Sequence, residues 1–174
     1  MDNIDAVISR TSVVNNHAGG YIGGIDIEGT TATITNVTVS GNTSGGGGGI
    51  GLSAGAGVDI ANSIVWDNTG EEVWIYTGSV NVIYSDIQGG HEGEGNMNAD
   101  PLFIDADAGD YGLQIESPCI DAGTADLNQD GVADIVEYMG IAPDMGAFEF
   151  VLSVNPPTNI TYVPQTSSFL LMWN

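Results

Sequence analysis

The chain has 174 residues, 42% of them apolar, enough for one domain with a packed core. One arginine, no lysine and 23 acidic residues leave a formal net charge of −22, which disfavours nucleic acid and anionic membrane surfaces as partners and favours cations and basic ligands. A single cysteine, Cys119, excludes an intrachain disulfide, and no apolar run reaches the roughly 18 residues that a membrane-spanning helix requires.

The first ten residues, MDNIDAVISR, carry neither the basic start nor the apolar stretch of a signal peptide. Val7 and Ile8 already belong to a repeat with no capping segment before them, so the chain reads as part of a longer array, because solenoids need their open ends covered. In register, Ala6 to Asn16 (AVISRTSVVNN) lies over Ala32 to Asn42 (ATITNVTVSGN), Val58 to Asn68 (VDIANSIVWDN) and, after a shorter interval, Val80 to Gly90 (VNVIYSDIQGG). The first three segments repeat at 26 residues. A short apolar strand followed by a polar, Gly-rich return at this period predicts an all-β parallel solenoid. Ile8, Ile34, Ile60 and Val82 form one expected inner column, and Val13, Val39, Val65 and Ile87 another. Asn16, Asn42 and Asn68 form an amide column at the bends, and Asn36 with Asn62 a second.

The remainder of each coil, GGYIGGIDI, GGGGGIGL and EEVWIYT, alternates apolar residues among glycines and predicts a second strand reached through tight turns. Gly45 to Gly49 is then a turn within a coil: no Lys-Ser/Thr and no helical pattern follows it, as a phosphate loop requires.

From Asn98 the period stops. Three phrases follow: NADPLFID (98 to 105), YGLQIESPCIDAG (111 to 123) and PDMGAFEF (143 to 150). Together with the preceding coils they resemble the closing segment of secreted bacterial right-handed parallel β-helix proteins of the pectin-lyase-like superfamily, of the choice-of-anchor Q type. The resemblance implies a right-handed parallel β-helix truncated at both ends, with coils over 1–97 and a closing segment over 98–150. It also implies a secreted or cell-surface setting. Residues 151–174, with NPPTNITYVPQTSSFLLMWN, resemble a linker and the first strands of an incomplete fibronectin type III module. Two strands do not bury a sandwich core by themselves, so residues 155–174 are expected to be poorly ordered or loosely docked if nothing follows them.

The sharpest chemical motif is DLNQDGVADIVE, 126 to 137, which places Asp126, Asn128, Asp130, Gly131, Asp134 and Glu137 at positions 1, 3, 5, 6, 9 and 12 of an EF-hand-type calcium register. Asp126, Asn128, Asp130, the Val132 carbonyl, Asp134 and Glu137 are the expected Ca²⁺ ligands. The unit also resembles the calcium-binding repeats of thrombospondin type 3 and dockerin-like proteins. No clear helix precedes Asp126 and the unit occurs once, so a solvated acidic loop is the competing reading.

Trp74 and Tyr76 alternate with Val73 and Ile75; if the aliphatic pair points inward, the aromatic pair faces out as a platform for sugars, with Glu71 and Glu72 as hydroxyl acceptors. Aromatic residues that cover a neighbouring loop read the same way. No catalytic residue is assigned: lyase chemistry on uronates needs a cation to neutralise the substrate carboxylate, Arg10 is the sole Lys or Arg, and acidic pairs such as Asp26 with Glu28 read as solvated outer-face residues. His17 and His91 lack a second ligand at metal spacing, Cys119 reads as a small buried residue, and Thr31, Thr33, Thr35 and Thr38 lack threonine register partners for an ice-binding face.

The expectation is a structural and adhesive module of a secreted or cell-surface β-helix protein, calcium-stabilised, with a polysaccharide or cell-surface glycan as partner. The alternative is the C-terminal part of a polysaccharide lyase or glycoside hydrolase.

Overall fold

The computed structural model describes residues 5–152, together with the backbone of two strands at 160–165 and 168–173. The Pro-rich lead-in expected at 155–159 lies outside the described residues.

Nine strands form the coils: β1 (Ala6–Val14), β2 (Ile25–Glu28), β3 (Thr31–Ser40), β4 (Ile50–Ser53), β5 (Ala56–Ala61), β6 (Ile64–Trp66), β7 (Val73–Ile75), β8 (Gly78–Ile83) and β9 (Asp86–Ile87). Every pairing among them is parallel. One sheet joins β1 to β3, then β3 to β5 and β8 on one leg and to β6 and β9 on the other; a second sheet runs β2, β4, β7. The result is a parallel β-solenoid of about three turns.

The expected columns are the observed register. Ile8 pairs with Ile34, Ile34 with Ile60 and Ile60 with Val82, while Val13, Val39, Val65 and Ile87 align on the other leg. All but Ile8 and Val13 are buried, and those two pack against the same core from the first coil. Alternation sets the faces of β2, where Ile25 and Ile27 are buried and Asp26 and Glu28 exposed. The second sheet keeps a different step: Ile25, Ile50 and Val73 align at 25 and then 23 residues. The turn after Ser53 is one residue longer than the turn after Glu28, which restores the 26-residue register at Gly57.

Two columns of left-handed residues turn the chain at its corners. Arg10, Asn36, Asn62 and Tyr84 have φ of 47°, 53°, 50° and 45°, and Asn15, Gly41, Asp67 and Gly89 have 55°, 65°, 56° and 86°. Asn, Asp and Gly suit this conformation; at Arg10 and Tyr84 it costs about 1–2 kcal/mol, which the flanking ladders offset. Backbones pass close in the Gly45–Gly49 turn: a Cβ on Gly48 would meet the Asn42 carbonyl, and one on Gly49 the Glu72 carbonyl.

The Asn16, Asn42 and Asn68 amides stack as a hydrogen-bonded ladder. Asn16 Nδ2 donates to Asn42 Oδ1 at 2.9 Å, and Asn42 Nδ2 to Asn68 Oδ1 at 2.9 Å. Asn36 and Asn62 do something else. Asn36 Nδ2 donates to the Asp144 carbonyl (3.0 Å), while Asn62 donates to the Thr124 carbonyl (2.8 Å) and accepts from the Thr124 amide (2.8 Å). That column anchors a distant segment in place of stacking on itself.

The segment so anchored begins with an antiparallel pair, β10 (Phe103–Asp105) and β11 (Asp110–Leu113), around a single 3-10 turn at Ala106–Ala108. It then returns along the outside of the coils, over the outward column Thr38, Ile64 and Asp86. Ile64, Leu113, Cys119 and Met145 form a second buried cluster there, flanked by Trp66, Tyr84, Met97 and Phe103. The Gly146 amide donates to the Asn62 carbonyl (2.8 Å) and the Ala147 amide to Thr38 Oγ1 (3.0 Å). Three carboxylates fasten the same segment: Asp86 accepts from the Ala99 amide and the Cys119 thiol, Asp144 from the Asp121 and Phe150 amides, and Asp121 from the Ile141 amide. Burial pushes the Asp86 and Asp144 carboxyls and the Cys119 thiol above their ordinary pKa values.

Residues Ile160–Gln165 (β12) and Ser168–Trp173 (β13) pair antiparallel. Among the described residues no helix is long and apolar enough to cross a membrane.

Candidate functional site

The outer face of the second sheet is set by register. Asp26, Gly51 and Trp74 align across β2, β4 and β7, and Glu28 aligns with Ser53 one pleat further on. Because Val73 packs against the core, its neighbour Trp74 faces out, and Tyr76 follows it beyond the end of β7. The two rings lie 5.7 Å apart between centroids, 19° from parallel. Tyr21 joins them from the Gly-rich turn before β2, its centroid 6.4 Å from Trp74 and its plane 6° away. At a van der Waals separation of about 3.5 Å these distances require lateral offsets of about 5 Å, so the rings form a terrace in which Trp74, the middle ring, is half-buried. Tyr21 is 76% exposed and Tyr76 71%. Ile22 lies over Gly51, where any side chain would collide with it, and continues the apolar floor between Trp74 and Asp26.

The expected acceptors separate. Glu71 is exposed at the end of the turn before β7, whereas Glu72 is buried, 8% exposed. Glu72 terminates the asparagine ladder: its carboxylate accepts from the Asn68 amide nitrogen at 3.0 Å and from Asn68 Nδ2 at 2.5 Å. Burial raises its pKa against the opposing effect of these two bonds. Glu72 therefore serves the coil interior and does not join Trp74 and Tyr76. The carboxylates that do share their face are Asp26 and Glu28, marked in the sequence by their alternation with Ile25 and Ile27 but separated from Trp74 and Tyr76 by more than 45 residues of chain.

The 126–137 loop folds around its own side chains. Asp126 accepts from the Asp130 and Gly131 amides (3.1 and 2.7 Å), Asn128 from the Asp130 amide (3.0 Å), and Asp130 from the Val132 amide (2.8 Å). Asp134 Oδ2 accepts from the Leu127 amide (2.9 Å), and Gly131 supplies the left-handed turn at φ 87°. Glu137 is drawn elsewhere: Arg10 Nη1 lies 3.7 Å from its carboxylate and Arg10 Nη2 donates to its carbonyl. Among the described residues no three His, Cys, Asp or Glu side chains gather in an arrangement that would hold a metal.

A groove of about 530 Å³ lies away from the aromatic terrace, between the outer face of the first sheet (Thr33, Thr35, Asp59, Asn81) and the 126–137 loop (Leu127, Asn128, Gln129, Asp134). It is open, its lining mixes these polar groups with Ile60 and Ile83, and Asp59 already accepts from Asn81 Nδ2 at 3.2 Å. His17 contacts Thr43 and His91 its neighbour's carbonyl, both at the surface. No protein-family model matches the chain, nor does any curated protein or any solved structure.

Proposed function

We propose that this chain is a structural and adhesive module that holds a glycan on the outer face of its second sheet. The observation that carries the reading is the terrace of Tyr21, Trp74 and Tyr76, three near-parallel rings with Trp74 on the ladder, the tyrosines beside it, Asp26 in register with Trp74 and Glu28 on the same face. Sugars present flat C–H faces to such rings and hydroxyls to such carboxylates, and a rigid platform lowers the ordering cost of binding. Retention on immobilised polysaccharides, compared between the chain and Trp74→Ala, tests it. Loss of retention with unchanged circular dichroism supports the reading, and equal retention rejects it.

Calcium at 126–137 is the second part of the proposal. It is supported by the side chains of Asp126, Asn128 and Asp130 turning the loop around a left-handed Gly131. Glu137 would have to exchange Arg10 for the ion to complete the set. The bound ion would brace the loop against the coils. A secreted or cell-surface setting, a fibronectin-type continuation, and the alternative that these coils belong to a polysaccharide lyase or hydrolase rest on the sequence resemblance.

A further inference from the structure

We propose that the glycan is cationic: an amino-sugar chain with free ammonium groups, its rings lying over Tyr76 and Trp74 and its ammonium groups directed at Asp26 and Glu28. This rests on the glycan reading above and adds the charge of the sugar. Two independent features of one face point to it.

The first is the register. Asp26 lies two strands from Trp74 across Gly51, about 10 Å at the usual strand spacing, a span that a disaccharide covers. Ser53 is the small partner of Glu28 on the middle strand, and Ile22 fills the space over Gly51 to give a flat floor. A chain laid across the strands would meet rings first and carboxylates next. The second is the rings themselves, which attract cations through their π faces as well as packing on sugar C–H groups. An ammonium group on such a sugar gains a charge-assisted hydrogen bond to Asp26 or Glu28 that a hydroxyl or acetamide does not match.

Acidic glycans fit poorly. A uronate or sulfated chain would face Asp26, Glu28 and a net charge of −22, and the sole Lys or Arg, Arg10, is engaged by Glu137.

The test is calorimetric titration of the full chain with three hexasaccharides: glucosamine, N-acetylglucosamine and galacturonic acid, at low and high salt. The expected result is glucosamine at least tenfold tighter than N-acetylglucosamine at low salt, the difference shrinking with salt, and no heat with galacturonate. Asp26→Asn with Glu28→Gln should remove the preference and spare binding of the acetylated oligomer. Asp107→Asn with Glu116→Gln, an equal charge change elsewhere, should keep it. Trp74→Ala should remove binding of both oligomers.

Equal affinities in the unmodified chain, or a preference that survives Asp26→Asn with Glu28→Gln, would overturn the charge assignment while leaving the aromatic platform standing. Undiminished glucosamine binding in Trp74→Ala would mark general attraction to a polyanion and overturn both. Failure to bind either amino sugar would also overturn the cationic assignment, with retention on the other polysaccharides deciding the platform.

Discussion

Asn62 and Thr124 hold each other by two hydrogen bonds, Nδ2 to the Thr124 carbonyl and the Thr124 amide to Oδ1, each 2.8 Å long. They are 62 residues apart, and Asn62 reaches out because its left-handed backbone, φ 50°, turns the corner between β5 and β6. One residue thus both bends a coil and fastens the segment that returns over it. Asn62→Gly keeps the bend and removes the bonds, so it should destabilise by about 1–3 kcal/mol. Asn62→Val should cost more, since a β-branched residue resists positive φ. Urea denaturation measures both, and proteolysis should move to 124–142 in either variant.

The asparagine ladder predicts a second result. Asn42 is fully buried and bonds in four directions: Oδ1 accepts from Asn16, Nδ2 donates to Asn68 and to the Val13 carbonyl, and its amide donates to Asn68. Asn42→Ala leaves several of these partners unsatisfied and should cost about 3–5 kcal/mol in chemical denaturation. Asn42→Asp, nearly isosteric, should fare no better at neutral pH, because it sets a carboxylate oxygen against Asn68 Oδ1.

Acid should stabilise this protein. Burial raises the pKa values of Glu72, Asp86, Asp144 and Glu149 above those of the unfolded chain. The folded state therefore holds protons that the unfolded state has released, and stability falls as pH rises through the folded values. The stabilisation is full only below the unfolded values near 4, and the weaker repulsion of a less charged chain adds to it. The melting temperature should rise from pH 8 to pH 5. Asp86→Asn should flatten part of that slope, and a melting temperature that falls over this range would contradict the burial argument.

Calcium should raise the melting temperature and EDTA should lower it, because a ligand of the native state contributes about 2.7 kcal/mol at a hundredfold excess over Kd. Asp130→Ala should abolish the dependence, and Arg10→Ala should strengthen binding by releasing Glu137. No difference between calcium and EDTA, with no heat at millimolar Ca²⁺, would reduce 126–137 to an acidic loop.

The coils were legible in the sequence because parallel stacking places the same apolar residue at the same interval, so Ile8, Ile34, Ile60 and Val82 needed no structure to be aligned. The corner columns were half-legible. Asn36 and Asn62 announce a left-handed bend, but Arg10 and Tyr84 take the same conformation without that chemistry, imposed by the neighbouring coils. The face was harder. Alternation places Trp74 and Tyr76 outward, yet it does not extend to Glu72, which precedes β7 and is turned inward by the amide ladder. Tyr21 belongs to a Gly-rich turn with no periodicity, so only folding shows it beside Trp74. Glu137 has calcium spacing in the chain and Arg10 as its neighbour in space, 127 residues away.

The central claim is that Trp74 itself contacts the ligand. Replacing Trp66 and Trp173 with Phe leaves Trp74 as the single tryptophan, since the chain has three. Titrating this variant with a polysaccharide that the chain retains should give a saturable blue shift of its emission, with a midpoint equal to the calorimetric Kd. Emission that stays unchanged while calorimetry records binding would place the ligand elsewhere and contradict the account.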